Sequence, residues 1–557
     1  MTLSLKSTSL KLLKSMKNRL LSKYKVLLLA GLFVLVFSIS FLYLRQEGSL
    51  EIGSQNLEQE KEISSVHYKS CYVLVGDFGS YQKGINFSEL KGAAVTAKEE
   101  AAELLEEQGF ENVSVFDDGG VVDLYTFVGE GSGYALASPW DVDYRVKSLS
   151  VDGLNFWNKD TLKEYPLCFE KVSETGQEEL YELDGELYDF DVESIGSIFL
   201  GGEIIPARAV DRTWLNQSDN YTLLFDRLKE KIVNSDLAFA MLENPISGNP
   251  TPCRGCMIFV GDEKNAQGFK QVGFDGFGIG NHFGDGGKSA IERTISVLET
   301  EGIALAGASV TSLEEAAKAH IFDMNGKKVA LLSAEEVAAY YWFGGSHGTN
   351  YYSGKSSSGG VGSPSIAKIT QDIESAKAQA DIVIVMMSWG TEYTNESNSH
   401  QKALAHALID AGADMIVGSH PHWVQEIEIY EDKPIFYSLG NFIFDQTGEG
   451  TGMNSGPDRR NGETRQGMTM QAFYMDGKLV SIDLIPHKMC GYEQAGGESN
   501  NRTHNLAWKI QAEEMSYNEV DQIPESQGCV WYQPTPVSPD SSVYKAIWDR
   551  MMEHSNI

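Results

Sequence analysis

Between Asp381 and Gln446 the chain alternates apolar runs with a helical segment and ends each run on polar residues: DIVIVMMSWGTEY, then QKALAHALIDAGADMIVGSHPHWVQ, then KPIFYSLGNFIFDQ. An apolar strand that stops at a polar cluster is how an α/β fold places chemistry, because the strand's carboxyl end opens onto a crevice. His420 and His422 follow the run Met415–Val417 directly. Two imidazoles two residues apart on extended backbone point the same way and reach one metal or a metal pair. Taken alone, the pair reads equally well as two hydrogen-bonded loop histidines.

The same punctuation recurs upstream. SIFLGGEIIPAR (197–208) is a short apolar strand, a Gly-rich turn carrying Glu203, and then Arg208. Tyr221–Val233 reads as an amphipathic helix. LAFAML ends at Glu243, and Gly273–Ile279 leads into Gly280-Asn281-His282, with Asp285 just beyond. Helices over Ile291–Thr300 and Ile366–Ala378 separate these strands from further ones at Gly302–Ala306 and Lys328–Leu332. Strands separated by helices predict a layered α/β domain. Its strand ends collect Glu203, Glu243, Asn281, His282, His420 and His422. Oxygen and imidazole donors of this kind suit Mn, Fe or Zn.

A chain of 557 residues is too long for one core. Cys71–Val75 as strand, Ala97–Gln108 as helix and Val113–Phe116 as strand predict a small α/β domain over 69–170, without a catalytic cluster. The larger domain is placed at 195–490, closed by strands at Thr469–Tyr474 and Lys478–Pro486. An extension over 491–557 carries the helix Ser542–Met552.

The first 68 residues are of another kind. Residues 1–25 are basic, Val26–Leu44 contains no charge, and 45–68 form a polar, acidic linker. The uncharged run is long enough to span a bilayer and ends in FLYLRQE without a small-residue cleavage site, so it reads as an uncleaved signal anchor. The basic segment then stays in the cytoplasm and the bulk of the chain lies outside. Residues 1–45 hold eight cations and no acid, so removing them from the formal net charge of −33 leaves −41. Such a surface repels nucleic acid and anionic lipid. It also repels a polyanion unless Arg208, Arg212 and Arg254 gather. The six cysteines (Cys71, Cys168, Cys253, Cys256, Cys490, Cys529) suit a compartment that permits disulfides, with connectivity left open.

The segment IDAGADMIVGSHPHWVQEIEIYEDKPIFYSLGNFIFDQ resembles, nearly residue by residue, the CapA family of capsule (poly-γ-glutamate) synthesis proteins within the calcineurin-like metallophosphatase superfamily. The resemblance extends over 195–446. It implies a sandwich of two β-sheets flanked by helices. It further implies metal ligation by Asn281, His420 and His422, with Glu243 matching the Glu of the N-L-E motif and Asn441 the G-N-F motif. His282 is implied as general acid or transition-state stabiliser, and Arg208 as a contact for an anionic substrate. Three positions depart from the pattern. Glu203 stands where the family has Asp, Met241 where it has Asn, and Ser388 where it has a histidine. A ligand set thinned in this way binds its divalent metal weakly or not at all, although His347 or His400 from a loop are possible replacements. The implied function is synthesis or attachment of a cell-surface polymer. It is carried out either by a metal-dependent hydrolase or transferase or by a catalytically silent polymer-binding scaffold.

Overall fold

The structure, a computed structural model, describes residues 65–116, 133–173, 179–207, 210, 221–248, 259–309, 311–337, 360–361, 366–444, 464–489 and 533–556. The anchor Val26–Leu44, the linker up to residue 64, Arg208, Arg212, Arg254, His347 and four of the six cysteines fall outside these residues. Among the described residues no helix is long and apolar enough to cross a membrane.

Two sheets form the larger part of residues 65–557. In the first, β1 (Ile195–Ile204), β2 (Leu237–Leu242) and β3 (Gly276–Ile279) run parallel. In the second, β4 (Lys327–Glu335), β5 (Ile382–Ser388), β6 (Met415–Ser419) and β7 (Lys433–Phe436) run parallel. A short strand, β8 (Asn441–Ile443), joins the first sheet beside β1, and the hairpin β9 (Gln466–Met475) with β10 (Lys478–Met489) continues it on that side.

Side chains alternate across a strand, and here both alternate sets are apolar. Ile198, Leu200, Phe239 and Met241 of the first sheet meet Leu331, Ile384, Met386, Met415 and Val417 of the second in one core layer. The outer face of the first sheet packs on α1 (Asn265–Val272) and α2 (Gly287–Thr300). The outer face of the second packs on α3 (Ile366–Lys377) and α4 (Ser399–Asp410). The order is therefore helix, sheet, sheet, helix. Gly276 and Gly278 allow the sheets to approach. A Cβ on Gly278 would lie 2.8 Å from Ser333 Oγ and 2.9 Å from Met386 Cβ.

Residues 66–192 build a four-stranded, a five-stranded and a two-stranded sheet, and their core is shared with Phe473, Met475 and Val480 at the tip of the β9–β10 hairpin. The run Cys71–Val75 is not one strand. It is divided at Tyr72 between Val66–Cys71, paired with Cys168–Ser173, and Val73–Gly76, paired with Tyr134–Ala137. The disulfide Cys71–Cys168 sits at that division. The predicted helix Tyr221–Val233 is also broken, into a 3-10 turn at Leu223–Phe225 and a short helix at Lys229–Val233. Leu224, Phe225, Leu228 and Ile232 reach the core without a continuous helix. The final helix, α5 (Ser542–Met552), packs Tyr544, Ile547, Trp548 and Met551 into the inter-sheet layer, while the Trp548 indole N–H donates to Gly79 O at 2.9 Å.

Candidate functional site

All the parallel strands of both sheets deliver their carboxyl ends to one edge of the inter-sheet layer. Glu203 lies within β1 rather than in the turn expected for it, one residue before the strand ends. Beyond Leu200, β1 changes neighbour. It is paired with β9 up to Leu200–Met470, a bulge follows at Gly201-Gly202, and Glu203 then aligns with Asn441 of β8. Glu243 follows β2 and Asn281 follows β3. The Gly280 N–H donates to Leu242 O at 2.8 Å, and a Cβ on Gly280 would meet Glu243 Oε2 at 2.0 Å. His420 is the first residue after β6.

The histidine pair does not sit on extended backbone. His420 has φ 91° and His422 φ 59°, both in the left-handed region that non-glycine residues seldom occupy. The turn nevertheless keeps the rings together, with centroids 5.9 Å apart. Backbone strain of this sort persists where the surroundings over-determine it. The His422 ring stands between Phe444, at 4.8 Å, and Tyr393, at 5.7 Å. The Tyr393 N–H donates to Pro421 O at 2.8 Å. The segment carrying Tyr393 is held in turn by Gln425, whose amide donates to Thr394 O and Glu396 O, and by the buried Glu426 carboxylate, which accepts from the Ser397 N–H.

His422 is the electrostatic centre of the site. Its Nδ1 donates to Asn441 Oδ1 at 2.9 Å and makes an ion-pair contact with Glu203 Oε2 at 2.8 Å. Asn441 is fixed on its other side by donating from Nδ2 to Thr464 O at 2.9 Å. Burial would disfavour charge on Glu203, but the facing His422 outweighs it and holds the carboxyl below its usual range. Burial likewise opposes charge on His422, and Glu203 overcomes it, raising His422 to about 9. His420 is buried and repelled by His422, which lowers it to about 3. Glu243 is raised well above the carboxylate range, first by burial and then by the charges of Glu203, Asp285, Glu335 and Glu392. One imidazolium thus faces the buried Glu203 carboxylate, while burial and the neighbouring acids push Glu243 toward its neutral form.

Asp285 Oδ2 receives the Phe259 N–H and lies 3.0 Å from His282 Nδ1. A carboxylate only accepts, so Nδ1 carries the hydrogen and Nε2 is the atom left for proton exchange. Ser388 ends β5 fully buried, and its Oγ makes no hydrogen bond. His400 is exposed and paired with Glu336, away from the cluster. Glu335, Glu392 and Tyr393 were not among the sequence candidates. Glu335 carries the same signal as the others, a polar residue ending an apolar run, and stopping that strand at Leu332 hides it.

Among the described residues no three His, Cys, Asp or Glu side chains are drawn together closely enough to hold a metal ion as they stand. The donors fit a divalent ion in kind. Both Glu243 oxygens and Asn281 Oδ1 are buried without a hydrogen-bond partner, a condition a cation relieves.

Residues 197–446, the stretch that supplies this cluster, match the model of a protein family described as bacterial capsule synthesis protein PGA_cap. Over these residues the chain is similar to that family. Among curated relatives, the PGA biosynthesis protein CapA of Bacillus subtilis (strain 168) is 36% identical over 166 residues, 30% of this chain and 41% of the relative. The capsule biosynthesis protein CapA of Bacillus anthracis is 29% identical over 252 residues, 44% of this chain and 59% of the relative. The chain therefore spans about half the length of these relatives. Among solved structures, a putative 5'-nucleotidase from Staphylococcus aureus aligns over 57% of this chain and 58% of its own, at 13% identity and a TM-score of 0.34. A calcineurin-like phosphoesterase from Bacillus subtilis aligns over 57% of this chain and 97% of its own, at 12% identity and a TM-score of 0.29.

Proposed function

We propose that this chain, a relative of the capsule-synthesis proteins it matches, acts outside the cytoplasm in the synthesis or attachment of a cell-surface polymer of the poly-γ-glutamate type. Its cluster at Glu203, Glu243, Asn281, His420 and His422 is proposed to bind a divalent metal weakly and to act on an anionic phosphoester or acyl group. The observation that carries the reading is Glu243, fully buried, with neither oxygen hydrogen-bonded, next to a second buried carboxylate. Such a group is costly in a protein that makes no use of it.

When bound, the metal supplies charge stabilisation and a hydroxide nucleophile at neutral pH. The remaining roles fall to the chain. Glu203, Glu243, Asn281, His420 and His422 would hold the ion, and Asn441 fixes the Nδ1 hydrogen of His422. His282, oriented by Asp285, gives a proton from Nε2 to the leaving group. Arg208, outside the described residues, is assigned to the anionic substrate. The scaffold reading, in which the cleft binds polymer without turnover, draws its support from Ser388 and Met241. The one is a buried hydroxyl and the other a core thioether, at positions where the family pattern that the sequence resembles has a histidine and an asparagine.

Elemental analysis for Mn, Fe and Zn in the purified protein, together with a phosphoesterase screen, tests the reading. Weak, substoichiometric metal is expected, and Ser388→His is expected to tighten binding about ten-fold. Affinity unchanged in that variant would remove Ser388 from the site, and tight stoichiometric metal in the wild type would remove the support for the scaffold.

Anchoring through Val26–Leu44 belongs to the same proposal. The Cys71–Cys168 disulfide supports it, since such bonds persist in oxidising compartments. Protease added to intact cells is expected to digest residues 46–557, and protection of that region would place it inside.

A further inference from the structure

We propose that Glu335 is a further carboxylate of the cation site, contributed by β4 at the corner where β5 ends in Ser388. The inference rests on the cation reading above and adds a residue to it.

Three observations place Glu335 there. Side-chain parity along β4 puts Val329 and Leu331 in the inter-sheet core and Ala330, Leu332 and Ala334 on the helix-covered face. Glu335 has the parity of the first set, and it is 1% exposed. Parallel register aligns Glu335 with Ser388 on the neighbouring strand, so both residues face the same layer. The rung before it touches the opposite sheet directly, since Ser333 Oγ receives the Ile279 N–H at 3.1 Å. Ile279 is the last residue of β3, immediately before Gly280-Asn281. A step of two residues along a strand is about 7 Å. Glu335 therefore stands at the level where β3 delivers Asn281 and β2 delivers Glu243.

The chemistry agrees with the placement. The negative charge of Glu335 bears on Glu243, whose two oxygens are buried and unpartnered. A third acid beside two buried carboxylates adds a negative field at the site, which a cation shared among them would offset. Carboxylate oxygen is a donor for the same hard and borderline ions that the other residues suit. Glu336 provides an internal comparison. It is adjacent in sequence, has the opposite parity, and pairs with the exposed His400.

The test is calorimetric titration of the purified protein with Mn(II), comparing wild type, Glu335→Gln, Glu335→Asp and Glu336→Gln, with a thermal melt of each to verify folding. Glu335→Gln is expected to weaken Mn(II) binding about ten-fold or more and Glu336→Gln to leave it unchanged. Glu335→Asp, which keeps the charge but withdraws the oxygens, is expected to fall between them and serves if the Gln variant does not fold. Wild-type affinity in both Glu335 variants overturns the proposal. A wild type that binds neither Mn(II) nor Zn(II) overturns the cation reading itself, and this inference with it, which is a distinguishable result.

Discussion

Gly202→Ala is expected to lower stability by on the order of 3 kcal/mol and to abolish cation binding together with the fold around the site. A Cβ on Gly202 would lie 2.2 Å from the carbonyl oxygen of Gly440. That oxygen cannot withdraw, because it accepts the Glu203 N–H at 3.2 Å and so holds β8 against β1. Gly440 itself is at φ 68°, with its N–H on Ser438 Oγ at 3.1 Å, which leaves the turn little room to adjust. The methyl group must therefore part the two strands where Glu203 faces Asn441 and where His422 contacts both. Urea denaturation reads the loss. Gly92→Ala is the comparison, since the nearest atom to its Cβ is Glu89 O at 3.8 Å and the change should stay within about 0.5 kcal/mol. Equal midpoints for the two variants would show that the β1–β8 contact is not tight.

This junction also marks the boundary of what the sequence discloses. Strand ends were legible because burial on both faces leaves an uninterrupted apolar run, and the first polar residue after it is conspicuous. Glu243 after LAFAML, Asn281 after Gly273–Ile279 and His420 after Met415–Val417 were found in this way. The helix Ser542–Met552 was legible to the residue, and its apolar residues recur at three- and four-residue steps that bury Tyr544, Ile547, Trp548 and Met551. What escaped depends on partners distant in sequence. Nothing in GGEII states that β1 exchanges β9 for β8 after Leu200, so Glu203 looked like a turn residue. Nothing in CYVLV states that Cys71 and Val73 belong to different sheets. The spacing of His420 and His422 gave their proximity but not its cause, because a left-handed turn brings the rings together where an extended strand was expected. The chain fixes its own runs by local burial, and the site arises where several such runs end side by side.

His422→Ala is expected to cost about 3–5 kcal/mol near neutral pH in the presence of chelator, because removing one member of a buried ion pair strands the other. In the wild type the His422 imidazolium faces Glu203 at 2.8 Å, and burial with the neighbouring acids holds the Glu243 pKa well above the usual carboxylate range. Without the imidazolium, Glu203 must take up a proton to remain buried. The pH dependence follows from the directions of the shifts. A histidine raised in the folded state from 6.5 to about 9 contributes stability that is complete below 6.5 and is lost as pH rises through about 9. A depressed carboxylate contributes stability that is present above its ordinary value of 4.5 and is lost as pH falls through its lowered one. The raised Glu243 opposes folding as pH rises above 4.5, but it does so in both proteins and largely cancels from their difference. The stability difference between wild type and His422→Ala should thus be largest between 4.5 and 6.5 and decline toward pH 9, by on the order of 3 kcal/mol. Urea curves for both proteins across that range measure it. A difference that stays constant through pH 9 would mean that Glu203 and His422 do not share their charge, and that the two carboxylates are kept buried by some other means.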